Sequence, residues 1–256
     1  MPPWIPIILA LAALITSIIS AILGMAGGML LLATMLCFMS HGEAIPTHAA
    51  VQIASNGTRV LAFIKNVDGH TLGRFCLGLL PGAALGMLLL WTLGQRQQSE
   101  PYLKTLIGTF ILIATYLPQG KADGRSAGTW WDFPLMGLVA GTAALTVGAV
   151  GPLIGPLFAR RHFVKESLIA TKAVCQLATH VLKIPAFIWL RDLDLTRLGS
   201  LALLMIVMVI PGTLIGKRIL TGVPERHFRI AFRVALTVAG TKVLILDGLL
   251  NLPAWS

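Results

Sequence analysis

Eight stretches of this chain are apolar for about the length a helix needs to cross a lipid bilayer. They run at about 4–23, 44–64, 72–93, 102–118, 133–147, 167–190, 198–216 and 228–246. The hydrocarbon core is about 30 Å thick and a helix rises about 1.5 Å per residue, so a span takes about 20 mostly apolar residues. In lipid the backbone must satisfy its own hydrogen bonds, and a series of such stretches reads as an all-α polytopic membrane protein. Charged residues make up only 12% of the 256, where a soluble domain carries about 25%. The longest hydrophilic stretch, 119–132, is short enough to be a linker, so residues 1–256 are expected to form a single transmembrane domain. No Lys or Arg precedes Arg59; without the basic region of a signal peptide, the first segment is expected to be a retained helix.

Two further apolar pieces, 28–40 and 152–159, are too short to be ordinary spans, and each follows a glycine-rich break, Gly24-Met-Ala-Gly-Gly28 and Gly148-Ala-Val-Gly-Pro152. Their equivalent places point to an internal duplication, which sliding the chain on itself supports. At an offset of 124, Ile45, Thr47, Ala49, Gln52, Ala54, Ala62, Phe63, Ile64 and Asp68 meet identical residues at Ile169, Thr171, Ala173, Gln176, Ala178, Ala186, Phe187, Ile188 and Asp192, nine identities in 24 positions. The same offset pairs Gly24 with Gly148 and Gly27 with Gly151, and after a small insertion Pro81, Gly82 and Gly86 meet Pro211, Gly212 and Gly216. Biased apolar composition does not account for matched Gln, Asp, Gly and Pro. The repeats cover approximately 4–118 and 133–250.

Loop charges bear on how often each half crosses, because Lys and Arg collect on the cytoplasmic side. Five spans per half place Lys65, Arg74, Lys121, Arg125, Arg160, Arg161, Lys165, Lys217, Arg218, Arg226 and Arg229 on one side, against Arg96, Lys104, Arg191 and Arg197 on the other. Four spans per half reduce eleven against four to nine against six. The larger asymmetry favours five, which makes the halves inverted repeats, an architecture of many secondary transporters. It places both termini on the periplasmic or outer face of the cell (inner) membrane. Whether the two short segments span or re-enter is left open.

Polar groups inside such segments are costly and need a reason. His48, Gln52 and Asn56 stand at i, i+4 and i+8 with Arg59 three further on, and Lys172, Gln176, His180 and Lys183 occupy the matching positions of the second half. Each set shares one helix face. A single Gln or Asn would read as interhelical glue; two matched stripes read as the wall of a cavity. Gly78, Gly82 and Gly86, with Gly137 and Gly141, fit close helix packing. The breaks containing Gly24, Gly27 and Gly28, and Gly148, Gly151 and Pro152, instead open half-helices whose free N–H groups and dipole favour an anion. Pro152 suits a first turn. All ten acidic residues lie in loops or at segment ends, while Arg59, Lys172, Lys183, Arg233 and Lys242 lie within segments. Cavity cations without a membrane carboxylate favour an anionic substrate.

With these features the chain resembles the TauE/SafE family of membrane exporters for sulfite and organosulfonates over nearly its whole length. The most specific parts are Gly24-Met-Ala-Gly-Gly-Met-Leu30, Gly148-Ala-Val-Gly-Pro-Leu-Ile-Gly-Pro156, Ala50-Val-Gln-Ile-Ala-Ser-Asn56 and Val174-Cys-Gln-Leu-Ala-Thr-His180. The family places a proline shortly after its first glycine cluster; here Leu32-Ala33-Thr34 stands there, while Pro156 keeps it in the second half. The resemblance implies export of small sulfur-containing anions such as sulfite, sulfoacetate or other sulfonates.

Two other classes compete. A transition-metal permease could use His48 and His180, but no carboxylate, Met or Cys cluster accompanies them in sequence. An intramembrane enzyme would need a nucleophile and base, and neither a Gly-x-Ser-x-Gly elbow nor a His-Glu-x-x-His helix is present. Cys37, Cys76 and Cys175 lie far apart in apolar runs and suggest neither a disulfide framework nor a metal site. The expected partners are a small anion and the lipid bilayer, with no cofactor, no bound metal and no catalytic residue; a homodimer is left open. The net charge of +10 is read as cytoplasmic loop charge rather than a nucleic-acid surface. In a background free of native cysteines, Ser256→Cys is expected to react with an impermeant thiol reagent added from outside. Labelling only from the cytoplasm would reject the ten-span arrangement.

Overall fold

The computed structural model describes residues 2–23, 27–94, 99–116, 129–159, 163, 165–190, 195–219 and 225–252. These contain ten α-helices and no strand: α1 (Trp4–Leu23), α2 (Gly27–Leu36), α3 (His41–Ala62), α4 (Gly69–Gly94), α5 (Ser99–Tyr116), α6 (Asp132–Thr146), α7 (Gly151–Ala159), α8 (Lys165–Leu190), α9 (Leu195–Ile219) and α10 (Glu225–Thr241). Short 3-10 turns follow α3 and close the described chain, and α10 runs into a π-helical turn, Lys242–Leu246. The two short helices, α2 and α7, hold 10 and 9 residues, about half of what a bilayer crossing takes.

The polarity of the bundle is that of a multi-pass membrane protein. Leu77, Leu80, Leu88, Leu135, Val139, Leu203, Val207 and Leu214 face outward, while His48, Asn56, Lys172, Gln176, His180 and Lys183 are buried. Trp4, Trp91, Trp130, Trp131 and Trp189 are exposed and stand at or near helix ends, where indole rings favour the lipid headgroup level. Three helical stretches, Gly69–Leu93, Leu198–Ile215 and Arg233–Asn251, are long and apolar enough to cross a membrane. Helices α3 and α8 have the length, but polar stripes interrupt their apolar character.

Local chemistry sets the helix starts. The Ser40 hydroxyl accepts the Glu43 N–H while the Glu43 carboxylate accepts the Ser40 N–H, so two free donors of the first turn of α3 are satisfied reciprocally. The His41 N–H donates to Glu100 of α5 at 2.6 Å. Before α4, the Asp68 carboxylate accepts from the N–H groups of His70 and Thr71 and from the Thr71 hydroxyl. Burial works against its charge, but these hydrogen bonds prevail and hold its carboxyl below the usual value. Asp192, its match in the repeat, lies outside the described residues.

Packing between helices is reciprocal. Helix α1 lies along α9 and α6 along α4; α3 and α8 meet at the centre, and α5 pairs with α10. The α4–α6 seam is made of glycine. A Cβ at Gly78 would strike the carbonyl of Pro134, one at Gly82 that of Leu138, and one at Gly137 that of Phe75; at Gly86 it would lie 2.9 Å from the Thr142 carbonyl. The Thr142 hydroxyl donates across the seam to the Gly82 carbonyl at 3.1 Å. Contact positions advance together along both helices, so α4 and α6 run parallel. The opposite holds at the centre. His41 stacks near Phe187 and His48 near His180, with ring centroids 5.8 and 5.5 Å apart, so α3 and α8 run antiparallel. Helices α5 and α10 do the same, with Gly108 against Leu244 and the Tyr116 hydroxyl 2.9 Å from that of Thr237.

Two substitutions separate the seam from ordinary helix propensity. Gly82→Ala must push two backbones apart and is expected to lower the melting temperature, whereas Gly73→Ala meets nothing within 4 Å and is expected to raise it, Ala being favoured over Gly by about 1 kcal/mol in a helix. Melting followed by size-exclusion chromatography in detergent checks both. A Gly82→Ala protein as stable as the parent would remove the seam from the packing account.

Candidate functional site

The two polar stripes meet at the centre of the bundle and enclose a cavity. It is lined by Ser20 of α1, Gly28 and Met29 of α2, His48, Gln52, Asn56 and Arg59 of α3, Ala149, Val150 and Gly151 at the start of α7, and Gln176 and His180 of α8. The cavity thus brings together Gly28, His48, Gln52, Asn56, Gly151, Gln176 and His180 from both halves. Gly27 and Gly148 stand immediately beside it. Gly27 packs so closely on α1 that a Cβ would come within 2.6 Å of Ser20 Cβ. Pro152 occupies the second position of α7. Lys172 is buried on the same stripe but is not part of the lining, and Gly24 lies outside the described residues.

Glycine is required here by close approach. A Cβ on Gly28 would lie 2.5 Å from the Gln52 amide, so the first turn of α2 and the centre of α3 touch only because that side chain is missing. At Gly148 the backbone takes φ +88°, a conformation open to glycine at little cost. It ends α6, whose last turn is closed by the Val147 and Gly148 N–H groups on the Ala143 carbonyl. The chain then turns into α7, whose opening residue Gly151 reaches the cavity. Both short helices therefore present N-terminal turns to the same space, and first-turn N–H groups have no partner within their own helix.

The side chains have a defined hydrogen-bond sense. His48 Nε2 is 2.8 Å from the Gly28 carbonyl. A carbonyl only accepts, so this nitrogen carries the proton. The Gln52 amide nitrogen lies 3.3 Å from the same nitrogen; with the His48 proton given to Gly28, that nitrogen has no lone pair for it, so the Gln52 N–H groups stay free of His48. Arg59 donates to Asn56 Oδ1 at 3.1 Å and to the Ser20 hydroxyl at 2.9 Å. Lys183 is fully buried and donates to the Gly148 carbonyl and to His180 Nδ1, the latter at 3.1 Å. Among the described residues no Asp or Glu lines the cavity. Lys242, read from sequence as an intramembrane cation, instead pairs with Asp247 at 2.8 Å, and Arg233 lines a separate outer groove between α5 and α10.

The cavity offers about 20 Å³ to the centres of water molecules, on a scale where one water takes about 10–15 Å³. In this conformation it suits a water or two rather than a whole oxyanion, so loading requires its walls to part. A second small cleft continues from it through the shared residues Ser20, Gly28 and Gln52, lined by the hydroxyls of Thr16, Ser17 and Ser55. At the offset of 124 Thr16, Ser17 and Ser20 meet Ala140, Gly141 and Ala144, so the hydroxyls of α1 have no counterparts on α6. Sequence reasoning passed over Ser20; its signal was three hydroxyl residues on one turn and a half of an otherwise apolar helix. Among the described residues no group of three or more His, Cys, Asp or Glu could hold a metal ion, and the His48–His180 pair has no third ligand of these types.

The chain matches no curated protein and no solved structure. A model of one family, described as sulfite exporter TauE/SafE, matches residues 9–243. Every residue of the cavity wall falls inside that match, and the chain belongs to the TauE/SafE family of sulfite exporters, a family of membrane transporters rather than enzymes.

Proposed function

We propose that this protein is a secondary transporter that exports small sulfur oxyanions, sulfite or short organosulfonates, across the cell inner membrane, with the central cavity as the substrate site. The observation that carries this reading is a buried wall of two matched glutamines, two histidines and the turns opening two half-helices, with cations nearby and no carboxylate in the lining. An anion there replaces its hydration shell with N–H donors and meets buried positive charge. The two five-helix halves are taken as inverted repeats. The antiparallel pairing of α3 with α8 and of α5 with α10 supports this, since equivalent helices would meet in that sense about an axis in the membrane plane. With five crossings per half, both termini face outside.

Gln52 and Gln176 are assigned as donors to the substrate. A hydrogen bond to a charged group contributes about 1.5–3 kcal/mol. Gln52→Leu and Gln176→Leu are each expected to weaken sulfite affinity by roughly tenfold or more while the protein stays folded. Unchanged affinity in both would return the pair to a packing role.

Outward movement of an anion down an inside-negative potential is favourable by about 2.3 kcal/mol per charge per 100 mV, so no intramembrane coupling carboxylate is required. Sulfite flux in proteoliposomes under a clamped potential is expected to be electrogenic and to persist without Na⁺. Strict dependence on a Na⁺ or proton gradient, undiminished in His48→Gln and His180→Gln proteins, would overturn this mechanism.

A further inference from the structure

Arg59 and Lys183 stand at matched positions of the two halves, 124 residues apart, and each divides its hydrogen bonds in the same way. One goes to a cavity residue three positions earlier on its own helix, Asn56 for Arg59 and His180 for Lys183. The other goes to the end of the first helix of its half or the break just after it, the Ser20 hydroxyl or the Gly148 carbonyl. Guanidinium and ammonium groups can only donate. Asn56 therefore gives up its Oδ1 as acceptor and turns its NH2 group the other way. His180 gives up the Nδ1 lone pair, so its ring proton sits on Nε2. Ser20 accepts from Arg59 and keeps its own O–H to donate. At His48 the Nε2 proton goes to Gly28, and the Nδ1 lone pair is sealed from the cavity.

We propose that Arg59 and Lys183 are positioning residues that occupy the acceptor atoms of Asn56 and His180, so that these two side chains show only N–H groups to the cavity, and that this wall selects fully deprotonated oxyanions over ligands bringing an ammonium group. The selectivity rests on the anion-site reading above; the orientation of the two side chains does not. The N–H groups of Asn56 and His180 can donate to a sulfonate oxygen but offer an ammonium no acceptor, and an unpaired buried donor is costly.

The test uses the full chain in lipid nanodiscs. With 15N-labelled histidine, His180 is expected to show the Nε2–H tautomer in the wild type, to lose that preference in Lys183→Met and to regain it in Lys183→Arg. A wild-type Nδ1–H tautomer, or an unchanged tautomer in Lys183→Met, overturns the positioning role whether or not any anion binds. Asn56→Asp keeps an acceptor for Arg59 but removes the donors facing the cavity. It is expected to leave the melting temperature in place and to weaken binding of 2-hydroxyethanesulfonate by about tenfold or more; equal binding overturns the donor wall. The wild type is expected to prefer 2-hydroxyethanesulfonate to 2-aminoethanesulfonate by a similar factor. Equal affinities overturn the selectivity alone, and no binding of either sulfonate or of sulfite overturns the anion-site reading while the tautomer result stands.

Discussion

A positive charge buried inside a membrane bundle, with no carboxylate beside it among the described residues, constrains what surrounds it more than any apolar contact. Removing such an ion from water costs several kcal/mol even after relaxation. Lys183 is fully enclosed and must find acceptors among neutral groups. Inside a regular helix nearly every carbonyl is already taken by the N–H four residues on. The left-handed turn at Gly148 ends α6 and frees a carbonyl for the ammonium. The helix break, the short helix after it and the buried lysine thus form one arrangement. In the first half Arg59 meets the same demand through the Ser20 hydroxyl.

That arrangement needs a frame that holds its position, which the glycine seam supplies. Helices α4 and α6 approach until side chain meets backbone carbonyl, and the contact depends on van der Waals fit rather than on expulsion of water. Across the molecule, α1 and α9 pair in the equivalent way, but α1 carries hydroxyls where α6 carries Ala140, Gly141 and Ala144. Glycine brings the helices together in both pairs, since a Cβ at Gly212 would lie 2.6 Å from the Leu14 carbonyl, and the pairs differ in the residues that flank the contact. The second cleft runs along that hydroxyl-bearing face of α1, between α1, α2 and α3.

Much of this was legible in the sequence. Apolar length marked all ten helices, and the period of 3.6 put His48, Gln52 and Asn56 on one face and Gln176 and His180 on its counterpart, the residues that line the cavity. The spacing of Gly78, Gly82 and Gly86 read directly as a packing face. What periodicity gives is a direction around the helix axis, not a reach. It could not show that Lys172 stays out of the lining while Lys183 turns back to Gly148. Nor could it show that Lys242 is held by Asp247. Ser20 escaped notice because one hydroxyl in an apolar helix most often bonds its own backbone, as Ser17 does to Leu14. Cavity size depends on rotamers and helix separation, which no pattern of residue types encodes.

The glycine seam also bears on how the protein tolerates handling outside its native bilayer. With backbone in van der Waals contact along α4 and α6, that seam has no room for a detergent tail. The small cleft lined by Thr16, Ser17, Ser20 and Ser55 offers space and hydrogen-bonding groups to invading water. Water entering the bundle after delipidation is therefore expected to reach the centre along that cleft before it enters between α4 and α6.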